Sequence, residues 1–225
     1  MKIKSILLGI FLIIPFGFTL AYATSMATLH LDTSTVLREG KYVDFSGQLV
    51  SPDGSPISNR TIFIEDDTVY TRPDIILAVA ITDAEGKFST SWKAVQKDNG
   101  SPYHFYAKFI GGKTFGYTRS ETYESVFVSL DDNPNHETIP SKTMPNWFKD
   151  TSKLWHDGKI RETDYDYAIQ NLIDYGIIPL QHLPSSEMNI PSWIKNDANW
   201  WAEGQIQDNE FTAALEYVID NNSKV

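Results

Sequence analysis

The 225-residue chain carries 19 Lys and Arg against 29 Asp and Glu, a net charge of −10, and no cysteine. An acidic surface of this kind repels phosphate backbones and anionic headgroups, which argues against nucleic-acid and membrane-surface partners. The lack of cysteine excludes a disulfide scaffold, a zinc ribbon and thiol chemistry, so stability rests on core packing, and an aromatic share of 13% points to cores built on Trp, Tyr and Phe.

The chain opens MKIKSILLGIFLIIPFGFTLAYA, with Lys2 and Lys4 ahead of an apolar run and small residues at Ala21 and Ala23. That order describes a secretory signal peptide over residues 1–23, cleaved between Ala23 and Thr24. Its removal takes the net charge to −12. If retained, Ser5 to Ala23 is long enough to span a bilayer, and it is the only membrane attachment the sequence suggests.

From 27 to 130 short β-branched and aromatic runs alternate with turn residues. TVLREGKYVDFSGQLV and TIFIED are separated by a turn through Pro52, Asp53 and Gly54. ILAVAITDAEGKFSTSWKA reads as two strands joined at Asp83-Ala84-Glu85-Gly86 by a hairpin-type loop, with glycine where a positive φ is wanted. YHFYAKFIGGKTFGYTRS and YESVFVSL complete an antiparallel β-sandwich. The order G-x-L-x-x-x-D-G-x-P-I-x-x-x-x-I-x-I from Gly47 to Ile64, followed by T-D-A-x-G-x-F-S from Thr82 to Ser89, resembles the immunoglobulin-like or transthyretin-like sandwich modules of bacterial and archaeal surface proteins. The resemblance implies a fold and an extracellular setting, with Phe88 as a core aromatic, and no reaction. The stretch 131–143, polar with two prolines, reads as a linker.

The last third repeats itself at a constant offset of 46 positions. Residues 144–180 and 190–225 pair Pro145 with Pro191, Trp147 with Trp193, Lys149 with Lys195, Trp155 with Trp201, Gly158 with Gly204, Ile160 with Ile206 and Tyr165 with Phe211. In each copy Pro is expected at N1 of a helix that ends at the glycine as a left-handed C′ residue. A second helix carries Tyr165, Ile169, Leu172 and Ile173, or Phe211, Leu215, Val218 and Ile219, on one face. The expected fold class is therefore α+β and multidomain: an Ig-like sandwich followed by two α-helical hairpin repeats.

The glycine and isoleucine also resemble an EF-hand loop, but calcium needs side-chain oxygens at its first and third positions. The chain presents Lys153 and Trp155, or Asn199 and Trp201, so a metal-free hairpin is expected. The whole unit resembles a small helical repeat of exported proteins in ammonia-oxidising archaea, which implies localisation and brings no activity with it. Copy one departs from it at Phe148 and at Lys153-Leu154, where copy two has Asn199-Trp200.

Trp147, Trp155, Trp193 and Trp201 recur at helical spacing and are assigned to the repeat core with Gly158, Ile160, Tyr165, Gly204, Ile206 and Phe211. Trp200, about 100° around the helix from Trp201, is expected to face outward as a contact residue. His30, His104, His136, His156 and His182 stand singly, and no nucleophile elbow, Walker loop or zinc-binding helix motif occurs, so no catalytic residue, metal or cofactor is assigned. Asn59, in Asn59-Arg60-Thr61, is the best-placed N-glycosylation sequon. The expected function is that of a non-enzymatic secreted or cell-envelope protein, whose Trp-rich modules associate with an envelope or extracellular protein or with a second copy. The alternative is an extracellular protein that binds carbohydrate or a metal ion.

Overall fold

A computed structural model describes residues 25–68, 73–97, 99–128, 144–179 and 190–222. It is an α+β protein, and among the described residues ten strands precede four helices. The strands are β1 (Thr28–Thr33), β2 (Val36–Leu37), β3 (Tyr42–Val50), β4 (Thr61–Asp66), β5 (Ile75–Ile81), β6 (Lys87–Lys93), β7 (His104–Phe109), β8 (Thr118–Arg119), β9 (Tyr123–Glu124) and β10 (Val126–Phe127). The helices are α1 (Asn146–His156), α2 (Glu162–Asp174), α3 (Ser192–Ala202) and α4 (Asp208–Asn222). The expected signal cleavage at Ala23 and Thr24 and the expected linker at 131–143 lie outside the described residues.

One antiparallel sheet runs β1-β3-β6, and a second runs β5-β4-β7-β8, with β9 also on β7. β2 and β10 form a short parallel pair. Alternation along the strands sends Leu29, Leu31, Val43, Phe45, Leu49 and Phe88 from the first sheet into one core with Ile62, Ile64, Phe105, Ala107 and Phe109 from the second.

The loop at Asp83–Gly86 behaves differently from the expected hairpin. Its turn closes locally, with Asp83 N–H donating to the Lys87 carbonyl at 2.8 Å and Gly86 at φ +71°. Yet β5 pairs with β4 while β6 pairs with β3, so the turn crosses between sheets. The cause is local: Leu49 N–H donates to the Gly86 carbonyl at 2.8 Å, and a Cβ at Gly86 would come within 2.5 Å of the Leu49 oxygen. That contact delivers β6 to β3 rather than to β5.

β4 and β5 are buried on both faces because the helices lie against the outer side of the second sheet. Phe63, Ile76 and Val79 join Trp147, Phe148, Trp155, Ile169 and Leu172 in a second core that continues through Ile194, Trp201 and Phe211. Register slips between Ile64 and Glu65, leaving an extra residue on β5. Leu77 and Ala78 therefore both fall in the inner core, while Ile76 and Val79 reach the helices.

Candidate functional site

Positions 46 apart in the two helix pairs make the same contacts. Trp155 stacks on Tyr165 with centroids 4.0 Å apart, and Trp201 stacks on Phe211 at 4.7 Å. Each indole N–H donates to the acid that opens the next helix, Trp155 to Glu162 at 2.7 Å and Trp201 to Asp208 at 2.9 Å. Glycine closes each first helix in the left-handed region, Gly158 at φ +67° and Gly204 at φ +75°. There the paired bonds Gly158 to Trp155 and Lys159 to Leu154 recur as Gly204 to Trp201 and Gln205 to Trp200. The third-position acids Asp164 and Glu210 reach back to the N–H of Arg161 and Gln207, as a capping box requires. The prolines sit one position earlier than expected. Pro145 and Pro191 are N-caps in extended conformation, their carbonyls accepting from Phe148 and Ile194 at 3.0 Å each.

Between the helix pairs the contacts are reciprocal. Lys149 Nζ lies 5.1 Å over the Trp201 ring and 3.7 Å from Asp208, while Lys195 lies 4.8 Å over Trp155 and donates to Glu162. Phe148, the position where copy one departs from the shared pattern, touches Tyr165, Trp201 and Phe211. The alignment already placed Lys149 opposite Lys195, but their role needed the geometry.

A buried polar cluster ties α2 to the second sheet. Tyr167 donates to Glu65 Oε1 at 2.7 Å, and Lys108 donates to Glu65 Oε2 at 3.1 Å and to the Tyr167 hydroxyl at 2.6 Å. The Tyr106 hydroxyl lies between Glu65 and Asp74. Thr61 donates to Asp164 at 2.6 Å, and Asn171 accepts from Ile76 N–H and donates to the Asp74 carbonyl. Burial pushes the Glu65 carboxyl above the usual carboxylate range, outweighing Lys108 and the two tyrosines. Burial and then Glu65 push the Tyr106 and Tyr167 phenols up. Glu65 is wholly enclosed and both of its oxygens are engaged by the chain's own side chains, so the cluster clasps elements together and presents no open face.

The expected core residues divide. Trp155, Trp201, Tyr165 and Phe211 are fully enclosed, Trp147 and Ile160 are buried, and Ile206 is partly buried against the same core. Trp193 is not a core residue: it is 42% exposed, against 8% for Trp147 at the equivalent position. The reason is the sheet. α1 packs against β5, whereas among the described residues α3 packs chiefly on α1 and α4. Trp200 is 46% exposed, and Tyr217, at the position equivalent to buried Asn171, is 64% exposed. Sequence reasoning passed over Tyr217; its alignment with a polar residue was the available signal.

Asn59 is exposed at φ +54°, but the Thr61 hydroxyl of its sequon is buried and donates to Asp164. His30, His104 and His156 stay apart, and His136 and His182 lie outside the described residues. Among the described residues no three His, Asp or Glu side chains converge to hold a metal ion, and no helix is long and apolar enough to cross a membrane. A depression of about 390 Å³ on the first sheet, lined by Asp32, Ser34, Arg38, Lys41, Tyr42 and Asp44, opens broadly to solvent and includes none of the helix-pair residues. No protein-family model matches the chain, and no curated protein matches it.

Proposed function

We propose that the chain is a non-enzymatic secreted or cell-envelope protein, in which an Ig-like β-sandwich carries two helical hairpin repeats and the second repeat serves association with another envelope or extracellular protein. The carrying observation is the contrast between Trp147, buried in the core that the helices share with Ile76 and Val79 of β5, and Trp193, its exposed equivalent. The first repeat uses its outer side to dock on the sheet, and the second leaves the same side open beside Trp200 and Tyr217. Exposed Trp and Tyr are the side chains from which protein contacts draw most energy. The leader-like residues 1–23 support export. Immobilised mature protein is expected to capture a component of solubilised envelope, and Trp193→Ala to reduce that capture. Capture of nothing from envelope or culture medium refutes the reading.

The same exposed indoles favour a second reading, stacking on carbohydrate rings. Titration of oligosaccharides followed by intrinsic Trp fluorescence separates the two, since six tryptophans report local binding.

A further inference from the structure

Trp193, Asp197 and Trp200 are spaced i, i+4 and i+7 on α3, which places them in one stripe of the helix. The equivalent stripe of α1 is Trp147, Thr151 and Leu154, which is buried or partly buried on a helix packed against β5. A stripe that is covered in one copy is thus open to solvent at both ends in the other, with an exposed indole at each end and a partly exposed carboxylate between them.

The changes between the copies say what the open stripe has stopped recognising. The sheet-specific partners of copy one are Asp164 to Thr61, Tyr167 to Glu65 and Lys108, and Asn171 to Ile76 and Asp74. Their equivalents in copy two are Glu210, Ala213 and Tyr217. Of the groups that hold the sheet, the tyrosine and the asparagine are gone and the acid is kept as Glu210, while aromatic surface has been added at Trp200 in place of Leu154 and at Tyr217 in place of Asn171.

Within this chain, indole plus carboxylate already recognises a cation twice. Lys149 lies over Trp201 beside Asp208, and Lys195 lies over Trp155 beside Glu162. The α3 stripe presents a third indole and carboxylate set, and no lysine or arginine pairs with Asp197 among the described residues. A second copy of this chain is a poor occupant, because each carries −10 and the encounter is repulsive.

We infer that the α3 stripe of Trp193, Asp197 and Trp200 is a docking surface for a basic protein segment, whose Lys or Arg side chains lie on the indoles and pair with Asp197. This rests on the association reading above and names the chemistry of its partner. Seven residues of helix separate the indoles by about 10 Å along the axis, so two cationic side chains about that far apart engage both rings.

The test uses mature protein labelled with 15N, with the Trp193 and Trp200 indole N–H signals assigned through Trp193→Phe and Trp200→Phe. A hexalysine peptide is expected to shift both signals at low salt, and the shift is expected to shrink at physiological salt. Asp197→Asn and Trp200→Leu are each expected to weaken the peptide several-fold while leaving the far-ultraviolet circular dichroism and the unfolding midpoint unchanged. Absence of shifts at these indoles overturns the proposal. So do equal shifts with hexaglutamate, shifts with an oligosaccharide in place of hexalysine, and sedimentation showing that the stripe pairs two copies. An envelope component captured equally well by Trp200→Leu and Asp197→Asn protein overturns this surface and leaves the association reading standing. Hexalysine binding at the stripe without envelope capture does the reverse.

Discussion

Trp155 donates its indole N–H to Glu162 at 2.7 Å, joining the inside of one helix to the first residue of the next. The ring also lies flat on Tyr165. Trp155→Ala is expected to destabilise the protein by about 3–5 kcal/mol, as loss of a fully buried large aromatic does. Trp155→Phe, which keeps a stack and loses the N–H, is expected to cost about 1–2 kcal/mol. Urea unfolding with unchanged slope checks both.

Trp147 and Trp193 align in the sequence and differ in the fold, so their alanine variants are expected to diverge. Trp147→Ala removes a buried side chain of the core shared by helices and sheet and is expected to cost about 3–5 kcal/mol. Trp193→Ala removes exposed surface and is expected to stay within about 0.5 kcal/mol. Equal losses in thermal unfolding would mean that α3 has a covered outer face.

Gly158 and Gly204 hold positive φ, and a Cβ at either meets nothing within 4 Å. Alanine there is strained by backbone conformation alone, at an expected cost of about 1–2 kcal/mol each. Gly204→Asn is expected to cost less than Gly204→Ala, since asparagine tolerates this region better. Chemical denaturation of the three variants orders them.

Burial raises the Glu65 carboxyl above its ordinary value of 4.5. Between that value and the folded one, the folded state holds a proton that the unfolded chain has released, so stability is expected to fall as pH rises through this window. Glu65→Gln removes the titration and is expected to flatten the fall. Asp66 and Asp150, also raised by burial, keep a residual slope of the same sign. Unfolding midpoints across pH 4.5 and above, for both proteins, read it directly.

Tyr167 bridges Glu65 and Lys108 from α2, and its ring meets Phe63 edge-on at 5.0 Å. Tyr167→Phe keeps the ring contact and leaves buried partners short of one hydroxyl, for an expected loss of about 1–3 kcal/mol. Hydrogen exchange is expected to rise in α2 and along β4 while the β1-β3-β6 sheet keeps its protection.

Much of this organisation was legible in the text of the chain. Registered pairs such as Trp155 with Trp201 and Gly158 with Gly204 gave the helix pairs and their closures, because glycine at a helix end and aromatics at helical spacing are local signals. The helix–sheet seam was not read, although IILAVAI in β5 carried the sign of it: an unbroken apolar run marks a strand covered on both sides. The charged member of the seam, Glu65, sits in TIFIED, where nothing local marks a carboxylate as buried. Trp193 was misplaced for the same reason as β5. Nothing local to either segment says whether a neighbour covers it, and covering is decided by which copy lies next to the sheet.

The two lysine contacts exchange places when the helix pairs are swapped, Lys149 with Asp208 for Lys195 with Glu162. A face that matches itself in this way is what a two-fold dimer presents. Here both halves belong to one polypeptide, so their meeting is intramolecular and its strength is set by the span between them rather than by how much protein is present. Dilution, which dissolves a dimer of separate subunits, leaves this pair together.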